Sequence, residues 1–194
     1  YSKQVTSLGT SLAVTVVGRG DMYFHDATLC YQTWQSCATC HPNDGRVDGL
    51  NWDLLNDGMG NPKNSKTLLL SHQTAPCMAT GIRADAETAV RAGVKYILFA
   101  ANVEEDVYIA MDEYLKAQQP VPSPYLVDGK LSESAKRGKI IFDRECASCH
   151  SGKYYSDFKQ YYVGWTSGAD KERAMDVPHL NECWRTAPYL YDGR

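Results

Sequence analysis

The 194-residue chain contains no uninterrupted apolar run of about 18 residues, so no part of it reads as a membrane-spanning helix. It has no excess of positive charge either. Lys and Arg number 20 and Asp and Glu 23, a formal net charge of −3. Nucleic-acid binding needs a basic surface to neutralise phosphates, and nothing here supplies one. Histidine is scarce, at five residues. No signal peptide stands at the start, where position 1 is Tyr. Two Cys-x-x-Cys pairs are present, but no βαβ pattern surrounds them, which argues against a thioredoxin-like dithiol. A zinc ribbon places its pairs about 15–20 residues apart. These begin roughly 110 residues apart, at Cys37 and Cys146.

What is there is more specific. Cys37-Ala38-Thr39-Cys40-His41 and Cys146-Ala147-Ser148-Cys149-His150 are each a Cys-x-x-Cys-His. That is the attachment signature of c-type haem. Its two thiols add across the haem vinyl groups, and the adjacent His offers an imidazole nitrogen to one face of the iron. The expected cofactors are two covalently bound haem c. Their thioethers come from Cys37, Cys40, Cys146 and Cys149, and their proximal ligands are His41 and His150. Such attachment takes place outside the cytoplasm, so a periplasmic or extracellular location is expected, with a signal and further chain preceding Tyr1.

Of seven cysteines, Cys30, Cys77 and Cys183 are left over. In an oxidising compartment two of them can pair. Cys30–Cys77 would close a loop in the first half, and Cys77–Cys183 would staple the halves. Three buried thiols packed as small hydrophobes is the third alternative.

The pattern predicts a mainly α protein, with two cytochrome c-like haem domains and a short β segment at the N-terminus. Residues 1–17, with Val5-Thr6-Ser7-Leu8 and Leu12-Ala13-Val14-Thr15-Val16-Val17 broken by Gly9 and Gly18, read as β. They look like the remnant of an upstream β domain. Residues 18–119 form the first haem domain. Residues 120–130 form a linker or strap that starts in Gln119-Pro120-Val121-Pro122-Ser123-Pro124, where proline stiffens the chain. Residues 131–194 form the second domain, shorter than the first. Helices are expected from Asp85 to Ala92 with a stop at Gly93, from an Asn102 cap with Glu105 three residues on, and from a Ser132 cap.

An internal repeat relates the halves. Gly20-Asp21-Met22-Tyr23-Phe24 precedes the first motif and Gly138-Lys139-Ile140-Ile141-Phe142 the second. Thr74-Ala75-Pro76-Cys77-Met78 with Gly81-Ile82-Arg83 is matched by Thr186-Ala187-Pro188-Tyr189-Leu190 with Gly193-Arg194.

The stretch Trp184-Arg185-Thr186-Ala187-Pro188-Tyr189-Leu190-Tyr191-Asp192-Gly193-Arg194 resembles the tail motif of the bacterial di-haem cytochrome c peroxidase superfamily. Trp34-Gln35-Ser36-Cys37, Asp48-Gly49-Leu50-Asn51-Trp52-Asp53 and Asn61-Pro62-Lys63-Asn64 resemble a secreted branch of it, often fused to a β-propeller. The resemblance covers roughly residues 18–194. It implies one electron-transfer haem and one that can open to peroxide, and it places a tryptophan, here Trp52, between the two. A core aromatic is the alternative for Trp52. Two departures matter. The tail motif usually has His where this chain has Tyr191, and the second haem's distal ligand usually comes from beyond that motif.

Distal ligands decide function, because a sixth protein ligand closes an iron that is otherwise open to exogenous molecules. For the first haem the candidates are His72 and Met78, with Tyr96 suggested by tyrosine ligation in the superfamily. For the second they are His179 and then Met175. His25 reads as structural or as reserved for a neighbouring subunit. Arg83 and Arg185 are candidates to pair with haem propionates. The loop holding Asp44, Asp48, Asp53, Asn56 and Asp57 lacks the EF-hand spacing and reads as a solvated turn. Three functions follow. The first is an extracytoplasmic di-haem cytochrome carrying electrons between redox partners. The second is a di-haem peroxidase-like enzyme, and the third a haem-bearing module of a larger assembly. The supply of spare His and Met favours the first.

Overall fold

The computed structural model describes residues 14–54 and 60–194. The described chain is mainly helical. Its helices are α1 (Val16–His25), α2 (Cys37–Cys40), α3 (Pro42–Gly45), α4 (Ala86–Tyr96), α5 (Glu105–Ala117) and α6 (Glu133–Glu145). The strands are β1 (Asn51–Trp52), β2 (Lys63–Asn64), β3 (Gln160–Tyr161) and β4 (Met175–Asp176). They form two antiparallel pairs, β1 with β2 and β3 with β4.

Helix α1 corrects the expectation of β structure through Val17. Residues 1–13 lie outside the described residues, but the chain is helical from Val16. Thr15 caps it by accepting from the Gly18 amide at 3.0 Å. Val17, Gly20 and Phe24 recur at helical spacing, and Phe24, 1% exposed, packs on Tyr114 and Leu115 of α5. Burying that face outweighs the β preference of the valines. At Gly20 the two helices touch so closely that an added Cβ would lie 1.9 Å from the Ala110 carbonyl oxygen.

Two other boundaries differ from expectation. Asp85 caps α4 as expected, accepting from the Thr88 amide at 2.7 Å, but the helix runs through Gly93 to Tyr96. Val94, 1% exposed, lies one residue beyond the glycine and packs with Cys30, Leu98 and Met111. That burial overcomes the roughly 1 kcal/mol cost of a mid-helix glycine. Helix α5 is capped at Glu104, not Asn102, which has a positive φ of 55°. Glu105 and Asp106 in its first turn suit the helix dipole. Ser132 does cap α6, accepting from the Ala135 amide at 3.2 Å.

The two halves differ in how they are filled. The first has two apolar clusters, one around Cys30, Val94, Leu98 and Met111, the other around Phe24, Tyr114 and Leu115. In the second, α6 has no buried residue, and its Ile140 and Ile141 stand exposed. Few second-half apolar side chains are buried, Met175 and Val177 among them.

Hydrogen bonds and ion pairs stitch the C-terminal motif onto the loop of β1 and β2. The Asn64 amide donates to Tyr191 O at 2.7 Å, and its side chain donates to Pro188 O at 2.6 Å. Asn51 Nδ2 donates to Asp192 O at 2.7 Å. Lys63 pairs with the buried Asp170 at 2.6 Å.

Candidate haem sites

Both Cys-x-x-Cys-His motifs form one helical turn with the same internal bond. The His41 amide donates to Cys37 O, and the His150 amide to Cys146 O, each at 2.9 Å. Cysteines three apart on such a turn share a face, and the histidine leaves the turn directly after them. The repeat extends beyond the motifs. Short 3-10 turns at Ser71–Gln73 and Cys183–Arg185 each follow a residue at φ 60°, Leu70 and Glu182. Each precedes one of the Thr-Ala-Pro segments.

The first motif opens onto a mostly apolar cavity of about 290 Å³. Cys37, Cys40 and His41 form one part of its wall. Leu68, Val94, Ile97, Met111 and Leu115 supply apolar surface. The loop from Thr74 to Arg83 forms another side, and Asp176, Pro178 and His179 reach in from the second half. Burial pushes the Cys37 thiol up to about 12 and the Cys40 thiol up to about 11. A redox dithiol needs the opposite shift, because its thiolate is the reacting species. Among the described residues no three His, Cys, Asp or Glu converge as a metal cage, so a zinc site has no geometry here. His41 is half-buried, with Nδ1 shielded and lacking a close partner. Burial lowers its pKa, keeping the ring neutral as an iron ligand requires. Apolar walls, two thiols on one turn and a neutral imidazole fit a covalently held haem.

The second motif continues from the end of α6, where the Cys146 amide donates to Phe142 O at 2.8 Å. His150 Nδ1 lies 3.0 Å from Tyr155 O. A carbonyl there fixes the proton on Nδ1 and leaves the Nε2 lone pair free for a metal. The exposed Ile140, Ile141, Tyr155 and Phe158 nearby are apolar surface of the kind a haem covers.

The distal candidates are dispersed. His72 does not line the cavity. Its Nε2 lies 3.0 Å from Asp112 Oδ1, and its Nδ1 lies 3.4 Å from Ser71 Oγ. Asp112 also accepts from Arg91 at 3.0 Å. His179 lines the first cavity, where the sequence reading had assigned it to the second iron. Its Nδ1 accepts from the Asn181 amide at 3.2 Å, and its Nε2 is sealed from solvent without a partner. His25 is exposed and bonded to Asp21. Tyr96 and Met175 are not in the cavity wall, and Met175 is buried in β4. Met78 does line the cavity, at φ 78°.

The remaining candidates have definite places. Trp52 lines the cavity, its Nε1 donates to Asp48 Oδ2 at 2.7 Å, and its strand docks on the C-terminal motif. Arg83 lines the cavity and pairs through its backbone with Cys77. Arg185 stacks over Trp184 and donates to Glu182 at 2.6 Å. In the acidic loop Asn56 and Asp57 lie outside the described residues, and the described carboxylates are engaged in the fold. Asp44 accepts from Tyr114, Asp48 from the Leu50 amide, and Asp53 from the Gly60 and Asn61 amides. Cys30, Cys77 and Cys183 form no disulfide. Cys30 packs in the core, as the third alternative for the spare thiols describes. Asp176 is the residue that sequence reasoning missed. It is 8% exposed in the cavity wall, 3.3 Å from Lys66 Nζ, and burial raises its pKa. No spacing in the sequence links it to the first motif.

No family model matches the chain. Hydrazine synthase subunit gamma of Kuenenia stuttgartiensis is 29% identical over 169 residues, covering 77% of this chain and 48% of that protein. The chain thus spans about half the length of this curated relative. Among solved structures, Kuenenia stuttgartiensis hydrazine synthase pressurised with xenon superposes with a TM-score of 0.81 at 20% identity. The match covers 100% of this chain and 86% of that one. A MauG-like protein associated with microbial copper homeostasis gives a TM-score of 0.73 at 16% identity, over 97% and 73% of the chains. The chain therefore shares its fold with these two structures.

Proposed function

We propose that this chain is a di-haem c-type redox module that works outside the cytoplasm, with an open reaction pocket at the first motif and an electron relay at the second. One observation carries the reading. The cavity at Cys37, Cys40 and His41 has apolar walls, while His72 is held by Asp112 outside it and His179 Nε2 is shielded from solvent in its wall. A haem bound there supplies one-electron chemistry and a coordination site for a small exogenous ligand. The protein's part is to hold His41 neutral and exclude bulk water. Arg83 adds positive charge to the wall and is proposed to receive a propionate. The hydrogen bond from His150 to Tyr155 O suits a ligated iron at the second motif, and Trp52 is proposed to stand on the path between the two.

The electron-carrier reading remains the alternative, with Met78 closing the first iron. Met78 in the cavity wall is the observation that favours it. A spectrum of the oxidised, haem-loaded protein separates the two. High-spin haem at the first site supports the open pocket. A fully low-spin spectrum with a methionine-to-iron charge-transfer band supports the carrier. Likeness to a subunit of hydrazine synthase leads us to propose a place within a larger assembly, with a protein electron donor or acceptor. Among the described residues no helix is long and apolar enough to cross a membrane.

A further inference from the structure

The second half reaches the first cavity through one short segment, Met175 to Glu182, and that segment ends in a buried ionic junction. Glu182 has a side chain only 2% exposed. It accepts from Arg46 Nε at 3.3 Å and Arg46 Nη2 at 3.2 Å. It also accepts from the Val121 amide at 2.5 Å and from Arg185 Nε at 2.6 Å. Arg46 belongs to the turn that leaves the first haem motif, and its own side chain is 6% exposed. The same guanidinium donates to Asn43 O and Asp44 O within that turn and to Gln119 O at the start of the proline-rich segment. One carboxylate therefore joins three stretches of chain that are remote in sequence. Just before it, Leu180 and Asn181 donate to Tyr154 O beside the second motif, and Pro178 and His179 form cavity wall.

We infer that Glu182 is a positioning residue for the first cavity, holding the Asp176–His179 wall in register against the His41 turn through Arg46. The inference rests on the proposed haem site at Cys37 and Cys40. The physical case has two parts. A forked guanidinium bound to both oxygens of one carboxylate fixes direction as well as distance. And while backbone bonds to Ala79, Lys159 and Tyr154 hold the rest of the segment, Glu182 is what ties it to the turn after His41. A buried charge pair of this kind is weak evidence for net stability, but losing one partner strands the other charge and releases what it held.

The test compares Glu182→Ala, Glu182→Gln and Arg46→Lys in the full haem-loaded protein. Amide hydrogen exchange is read over residues 176–181, and carbon monoxide association is measured at the ferrous first haem. In Glu182→Ala, exchange in that segment should rise at least tenfold and carbon monoxide should bind at least tenfold faster, with the second haem's spectrum unchanged. Glu182→Gln keeps one acceptor oxygen, enough for Val121 and one Arg46 nitrogen, and should fall between. A folded Glu182→Ala with native exchange and native association rates overturns the inference, and so does an equal shift at both haems, which marks general loosening. If Glu182→Ala does not fold, Arg46→Lys decides. That variant keeps the charge and loses the fork, and it must show the same pattern in smaller measure or the inference fails. Raised exchange in a protein that never binds carbon monoxide supports the positioning role while removing the open-pocket reading.

Discussion

Gly20 and Gly138 stand at the same place in two related helices, yet one is pressed against a backbone and the other touches nothing. Each lies four residues before a phenylalanine, ahead of a haem motif. A Cβ at Gly20 would overlap Ala110 O, whereas one at Gly138 would meet nothing within 4 Å. The difference is α5, which covers α1 and has no counterpart over α6 among the described residues.

The two glycines should therefore respond oppositely to alanine. Gly20→Ala forces α1 off α5 and should destabilise by about 1–3 kcal/mol or more. Gly138→Ala removes only the entropic cost of glycine in a helix and should be neutral or stabilising by up to about 1 kcal/mol. Urea unfolding midpoints check both. Equal destabilisation would show that the Gly138 face is covered in solution.

Haem load is the second prediction. Denatured mass should exceed the polypeptide by two haems, and Cys37→Ala with Cys40→Ala should remove one of them, as should Cys146→Ala with Cys149→Ala. A chain bearing a single haem, or bearing zinc, contradicts the reading of both motifs.

Histidine ligation gives the third. His72 is committed to Asp112, and His179 Nε2 is sealed in the wall. Alanine at either should leave the spin states of both haems unchanged, while Met78→Ala should alter the first only if Met78 closes that iron. Electron paramagnetic resonance of the oxidised variants is the measurement. A new high-spin signal in His179→Ala would instead make it a ligand.

The fourth concerns acid. Burial raises the Asp112 pKa, but hydrogen bonds from His72 and Arg91 outweigh it, and its carboxyl sits below the ordinary range. The folded value thus lies under the unfolded value of about 3.9. Asp112 then contributes stability that is complete above about pH 4 and is lost as pH falls through the folded value. Asp112→Asn should cost about 1–3 kcal/mol near neutral pH, since it leaves His72 with a neutral partner and Arg91 with the Glu105 carboxylate. It should also flatten the acid limb of a plot of unfolding midpoint against pH. An unchanged acid limb would assign that limb to other carboxylates.

Some of the site was legible because its chemistry is local. Cys-x-x-Cys-His fixes ligand types within five residues, so both motifs, their shared turn and the capped helices after Asp85 and Ser132 could be read directly. Histidine availability was not legible, because it depends on partners distant in the chain. His72 looked free until Asp112, forty residues on, was seen to hold it. Asp176 and Glu182 gave no signal, since a lone carboxylate in sequence says nothing about what lies across a cavity.

By itself the sequence determined the two Cys-x-x-Cys-His motifs, the internal repeat and the helical character, all of which depend on spacing over a few residues. Tertiary structure decided where α1 begins, because Val17 and Phe24 pack against Tyr114 and Leu115 of α5. It also decided that the first cavity is walled by both halves. Closing that wall needs contacts such as Arg46 to Glu182, between residues whose separation in the chain leaves no periodic trace.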